Sequence, residues 1–251
     1  MIFHYDPTQL LLISLAGLYA GTQNTLAGGG SFITFPALLL AGLDPLSANI
    51  TSTLALFPNQ ITSSFAGRKL AGGVGKLSLK KLFALSIAGG LVGAMLLLNT
   101  SITFFTQLVP WLVLIATLLF TWGSFSKSPL HTAQTIPLPL LAFIQFMIGI
   151  YGGYFGGGIG ILMLASLSLA GQQVRMATAT KNVLAMAMNT SAVVLFAFSS
   201  HVDWLAGLAL AVGGIGGGLL GSWLVHRLPE IIMRSFVVLV GMSLSTWLFL
   251  R

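Results

Sequence analysis

The sequence predicts an all-α membrane protein of about eight hydrophobic helical segments in two related four-helix repeats, and three observations carry that reading. Of 251 residues, 56% are hydrophobic and only 6% are charged, against about 25% charged in an ordinary soluble domain. Long gaps separate the charges: Asp6 is followed by none until Asp44, Lys81 by none until Lys127, and Lys127 by none until Arg175. Each gap holds at least one apolar helix of about 20 residues, enough to span a bilayer core. Finally, three blocks recur in order at offsets of 128 or 129: Gly28-Gly29-Gly30 with Gly156-Gly157-Gly158, Ala48 to Thr53 (ANITST) with Ala177 to Asn182 (ATATKN), and Ala88 to Gly93 with Gly216 to Gly221.

In chain order the apolar segments fall at 9–42, 46–66, 77–98, 102–123, 137–170, 177–198, 204–225 and 231–250. The first run lacks the basic residues that precede a signal peptide's apolar stretch and is read as mature protein. Turn chemistry marks the breaks, as in Asp44-Pro45, Gly72-Gly73, Asn99-Thr100-Ser101 and Gly171-Gln172-Gln173. Residues 1–125 are read as the first repeat, 126–136 as a linker and 137–251 as the second repeat. The two longest segments, 9–42 and 137–170, carry their glycine triplets in mid-segment, so both are expected to be broken or re-entrant. A break at that depth is tolerated only where protein or a water-filled cavity surrounds it. With no cysteine, disulfides and thiolate metal sites are excluded, and small residues let helices pack closely in lipid.

The formal charge of +7 is scattered in short clusters between apolar segments, which points to topology and away from nucleic acid. The first repeat is basic between its second and third segments (Arg68, Lys69, Lys76, Lys80, Lys81) and neutral at Asn99-Thr100. The second reverses this, with no Lys or Arg at His201 to Asp203 and with Arg227 and Arg234 in the next connection. If basic connections face the cytoplasm, the repeats insert in opposite senses. Four full crossings per half would instead give parallel repeats; re-entrant hairpins at 9–42 and 137–170 resolve the conflict.

Asp6, Asp44, Asp203 and Glu230, and all four histidines, lie at segment ends. No acid pair or His/carboxylate cluster falls mid-membrane to act as general acid and base or to bind a metal, so neither an enzyme, a metal nor a cofactor is expected. Gly28, Gly29, Gly30 and Ser31, with Gly156, Gly157 and Gly158, read either as broken backbone turning N–H groups toward an anion or as close helix packing. After each break comes a polar run: Asn49, Thr51, Ser52 and Thr53 in one half, Thr178, Thr180, Lys181 and Asn182 in the other. Gln60 lies eight residues beyond Ser52, and Asn189 eight beyond Lys181, so each pair shares a helical face. These side chains either bond their own helix or line a pathway. Lys181, about six residues and roughly 9 Å into its helix, either snorkels to the interface or is a fixed positive charge. Arg68, Lys69 and Arg175 read as topological anchors. Pro36 and Pro58 are helix-interior kinks, with or without substrate contact.

The segments AGGGSFITFPALLLAGLDPLSANITSTLA at 27–55 and GGYFGGGIGILMLASLSLAGQQVRMATATKNVLAMAMN at 152–189, with VDW at 202–204, resemble the two halves of the TauE/SafE sulfite exporter family over nearly the whole chain. The resemblance implies a multi-pass carrier of the bacterial or archaeal inner membrane for sulfite, thiosulfate, organosulfonates or other small organic anions, often exporting them. Thr51-Ser52-Thr53 departs from the family's pattern and leaves Lys181 without a counterpart in the first half. The combined reading is a secondary transporter whose anion site, between the repeats, draws on the glycine breaks and on Ser31, Ser52, Thr53, Gln60, Thr180, Lys181, Asn182 and Asn189. An oxyanion leaving water needs several donors and positive potential. The alternatives are the same fold carrying a non-sulfur organic anion or a cation, and a scaffold subunit. The expected partners are a small anion and the bilayer; the sequence is compatible with a homodimer.

Overall fold

The computed structural model describes residues 5–26, 30–125, 137–224 and 230–250. Among the described residues there are ten helices: α1 (Pro7–Leu26), α2 (Ser31–Leu40), α3 (Pro45–Gly67), α4 (Leu79–Leu98), α5 (Ile102–Phe125), α6 (Leu138–Tyr154), α7 (Ile159–Leu169), α8 (Val174–Phe196), α9 (Trp204–Leu224) and α10 (Glu230–Leu250). Eight apolar segments become ten helices because the segments at 9–42 and 137–170 each divide at their glycines, into α1 with α2 and α6 with α7. Gly28, Gly29, the linker 126–136 and Arg227 lie outside the described residues.

The helix ends explain where the few carboxylates go. Asp6 Oδ1 accepts from the N–H of Gln9 at 2.8 Å, and Gln9 Oε1 accepts from the N–H of Asp6 at 3.2 Å, a reciprocal cap on α1. Asp44 Oδ1 accepts from Leu46 and Ser47 N–H at the start of α3. Asp203 Oδ1 accepts from Ala206 N–H at the start of α9. All three acids therefore satisfy first-turn donors that would otherwise lack an acceptor. The ends of α2 and α7 match one another. Gly42 (φ +100°) and Gly171 (φ +95°) take the left-handed conformation just past each helix. Beyond them, Leu43 N–H returns to Leu38 O and Gln172 N–H to Leu167 O, both at about 3.0–3.1 Å.

Among the described residues two helices, α4 and Ile102–Trp122 of α5, are long and apolar enough to cross a membrane; Ser31–Leu40, Leu138–Tyr154, Ile159–Leu169, Trp204–Leu220 and Val237–Leu250 are shorter apolar stretches. Large apolar side chains stand exposed along many helices, among them Leu12, Trp111, Trp122, Phe143, Leu208, Val212 and Leu239. Faces of that kind need an apolar surrounding.

The chain divides into two compact units, Met1–Asn59 with Ser101–Leu114 and Ser199–Arg251, and Gln60–Thr100 with Ile115–Phe198. Each draws helices from both halves of the sequence. In the first unit, α1 lies against α9 with almost nothing between their backbones: Gly17 and Gly21 meet the main chain of Leu210 and Gly214, while Gly213 and Gly217 meet that of Ser14 and Leu18. Thr22 Oγ1 donates to Gly217 O at 3.0 Å, and Ser14 Oγ to Ala209 O at 2.9 Å. In the second unit α4 and α6 pack likewise. Gly89 meets Phe146 and Gly149, Gly93 meets Ile150, and Gly153 meets Gly90; Gln145 Nε2 donates to Ser86 Oγ at 2.9 Å. The core of this unit gathers Leu82, Leu141, Ile148, Ile159, Met163, Leu167, Leu184 and Met188.

Both broken segments return to the end from which they start. In the first unit, Tyr5 just ahead of α1 donates its hydroxyl to Asp203 Oδ2 at 2.7 Å, and Thr51 in the first turns of α3 accepts the N–H of Asp203 at 3.1 Å. The beginning of α1 and the chain just beyond α2 thus meet at one loop. Burial and the hydrogen bond to Asp203 push the Tyr5 phenol up, keeping it protonated as the donor. In the second unit, Leu138 at the start of α6 lies by Gly75, with its δ-carbons 3.6 Å from where a Cβ on that glycine would sit. Gln172, beyond the end of α7, donates to Gly72 O at 2.8 Å and Gly73 O at 3.0 Å.

A side chain at the glycine contacts has nowhere to go without separating two helices. Gly153→Leu and Gly21→Leu should each cost on the order of 1–3 kcal/mol, read as a lower melting temperature and a smaller monodisperse fraction in detergent. Gly216→Leu, at a position with ample space, should be near neutral in the same assay.

Candidate functional site

The two helices that resume the long segments both start after a glycine and lack a side-chain cap. Gly30 precedes α2 and Gly158 precedes α7, and neither supplies a side-chain acceptor for the first-turn N–H groups. At the second break Gly156 (φ +81°) and Gly158 (φ +75°) hold backbone conformations that a Cβ would oppose. Gly157, between them, packs against the Phe155 ring and Ala116.

In the first unit the polar groups largely engage one another. Gly30 N–H donates to Asn24 Oδ1 at 3.0 Å. Ser31, half-buried, opens α2. The Ser52 and Thr34 hydroxyls lie 2.6 Å apart in the interior, and Thr53 Oγ1 donates to Asn49 O of its own helix at 2.9 Å.

The second unit differs in carrying a cation. Lys181 stands on the α8 face that also presents Ala177, Leu184 and Met188 to the core, at spacings of four, three and four residues. That face meets α7. A Cβ on Gly160, the second residue of α7, would lie 3.6 Å from Lys181 Nζ. The ammonium therefore sits at the positive end of a helix whose first N–H groups lack a side-chain cap. Among the described residues no ion pair engages Lys181. Two positive ends placed together repel each other, and an anion relieves both.

The neighbours of Lys181 differ in what they bond. Thr180, fully buried, accepts the N–H of Gly72 at 3.1 Å and donates to Gly72 O at 3.3 Å. With Gln172 it pins the loop joining α3 to α4 onto α8. Asn189 Nδ2 donates to Gln60 Oε1 at 2.7 Å, so the far ends of the two polar stripes meet. Asn182 is half-buried.

Residues 13–248 match the family described as sulfite exporter TauE/SafE. The chain belongs to the TauE/SafE family. It is thus a membrane protein of a transporter family. It is 29% identical over 248 residues, 97% of this chain and 91% of the relative, to "Probable membrane transporter protein YfcA" of Escherichia coli K12. "Probable membrane transporter protein ORF9" of Sinorhizobium sp is 30% identical over 242 residues, 94% of this chain and 90% of the relative. "Probable membrane transporter protein YunE" of Bacillus subtilis is 24% identical over 267 residues, 93% and 96% respectively.

Three polar residues of this TauE/SafE chain carry no distinguishing sequence signal, Thr34, Gln145 and Tyr151, and Gln172 reads only as part of a turn. Neither Thr34 nor Gln172 recurs in the other half. Only their contacts distinguish them.

Thr180→Val keeps the shape of the side chain and removes both bonds to Gly72. With Gln172→Leu it should free the loop bearing exposed Arg68, Lys69 and Lys76. The double variant loses four bonds worth about 0.5–1.5 kcal/mol each, so trypsin should cut after Lys76 at least about tenfold faster. Unchanged cleavage would show that the loop is held by other contacts.

Proposed function

We propose that this protein is a secondary transporter that moves a small anion of the sulfite, thiosulfate or organosulfonate class across the bacterial inner membrane. The observation that carries the reading is Lys181 Nζ against the uncapped first turn of α7. Substrate affinity then comes from one fixed charge and several N–H and hydroxyl donors, which together offset the loss of hydration of an oxyanion. The family's description as sulfite exporters supports the sulfur-containing class.

The same proposal includes two related halves inserted in opposite senses, α1–α5 and α6–α10. Four features support it. Thr51 and Thr180, equivalent at the offset of 129, each accept a backbone N–H from the loop ahead of a fourth helix in the other half, Asp203 before α9 and Gly72 before α4. α2 and α7 end in the same glycine turn. Gln60 and Asn189, also equivalent, bond one another, as residues close to a pseudo-two-fold axis would. Each broken segment begins and ends at one loop, which leaves three further helices per half, the odd number that inversion requires. On this reading the α3–α4 loop with exposed Arg68, Lys69, Lys76, Lys80 and Lys81 is cytoplasmic, and the chain crosses the membrane several times.

Purified protein in detergent should be thermally stabilised by sulfite, thiosulfate or a short sulfonate, and Lys181→Met should abolish that shift while expressing normally. Stabilisation by cations alone, or anion binding that survives in Lys181→Met, would overturn the assignment of the site. A scaffold would tolerate the substitution with no change in any ligand response.

A further inference from the structure

Resting on the anion reading, we propose that the Tyr151 hydroxyl is a second donor of the same site, selecting anions that offer at least two acceptor oxygens. The hydroxyl is buried and has no hydrogen-bond partner among the described residues. A buried hydroxyl without a partner is destabilising, and one retained in a helix core asks for a ligand that satisfies it.

Its place in the fold says which ligand. Tyr151 packs against the core that includes Ile159 and Met163 of α7 and Leu184 and Met188 of α8, and Leu184 and Met188 share their face of α8 with Lys181. It is tied to the glycine break twice. Its carbonyl accepts the N–H of Gly156 at 3.3 Å, and its ring meets that of Phe155 edge-on, centroids 6.4 Å apart; Phe155 in turn covers Gly157. Tyr151 thus adjoins the backbone at Gly156 and Gly157 on the α6 side, while Lys181 adjoins Gly160 on the α8 side. Both residues thus adjoin the short stretch from Gly156 to Gly160 that opens α7. A sulfite or sulfonate brings several oxygens: one accepts from Lys181 and the helix N-terminus, another from the phenol. A halide has a single acceptor centre and spans this arrangement poorly.

The first-half residue equivalent to Tyr151 at an offset of 128 is Gln23, so the phenol, like Lys181, belongs to one half alone. Both departures from the repeat fall in the same unit. That asymmetry is what a single anion site built on a two-fold scaffold requires.

Tyr151→Phe removes the hydroxyl at constant volume, and the proposal demands opposite responses from stability and binding. Without ligand the variant should melt about 2 °C higher, because an unsatisfied group is gone. Its dissociation constant for methanesulfonate and sulfite should rise about tenfold or more, since a hydrogen bond to a charged group is lost, while chloride binding changes little. Lys181→Met, run alongside, should lose both classes. If no anion binds the wild type, the anion reading fails and this proposal with it. If oxyanions bind the wild type and not Lys181→Met, yet bind Tyr151→Phe unchanged, the site stands and Tyr151 has no part in it. A fall in the melting temperature of ligand-free Tyr151→Phe would equally overturn the proposal, since it would mean that the hydroxyl already has a stabilising partner.

Discussion

In an apolar medium every backbone N–H and C=O must find its partner inside the protein, and the rest of this architecture follows from that constraint. The segment at 137–170 interrupts its helix at Gly156 to Gly158, and in the segment at 9–42 α2 opens after Gly30; in both, first-turn donors are left without a side-chain acceptor. They are affordable only because other helices approach closely enough to enclose them. The glycine faces of α1 against α9 and of α4 against α6 provide that enclosure within each unit. Backbone carbonyls there sit where a side chain would be, and the hydroxyls of Thr22 and Ser14 bond directly to the neighbouring main chain. Glycine therefore serves two opposite purposes here, loosening the chain at the breaks and tightening it at the helix contacts.

The same constraint governs the polar side chains. Asp6, Asp44 and Asp203 are all committed to helix N-termini, where they satisfy donors at the ends of segments. Most interior hydroxyls and amides pair with each other or with main chain, as Thr34 with Ser52 and Gln60 with Asn189 do. Among the described residues, Gln145 Oε1, Ser168 Oγ and Gln172 Oε1 are also buried without a partner, as the Tyr151 hydroxyl is. Tyr151 differs from them in being tied to the second glycine break, and with Lys181 beside Gly160 it is the ground for placing a ligand there.

The sequence made the helices legible because lipid-spanning segments need long apolar runs and their ends need charge or turn residues. The segments read at 46–66, 77–98, 102–123, 177–198, 204–225 and 231–250 lie within a few residues of α3, α4, α5, α8, α9 and α10. Glycine triplets in mid-segment likewise announced where the two longest runs divide. The polar stripes were legible as stripes, by their spacing of eight, but not in what they do. Spacing places Thr180 beside Lys181, and contacts alone show that its hydroxyl is bonded to Gly72. Thr53 bonds its own helix. Tyr151 gave no signal, since a tyrosine in an apolar helix is an ordinary residue.

By itself, then, the sequence determined the helical class, the membrane setting, the family and the internal recurrence, all of which rest on composition and on spacing along one chain. Tertiary structure decided which helices approach one another, that each broken segment returns to its starting loop, and that Lys181 meets the first turn of α7. Those facts depend on contacts between residues far apart in sequence, such as Gly72 with Thr180 and Tyr5 with Asp203. Periodicity shows which face of a helix is apolar; it carries no information about which partner that face will bury itself against.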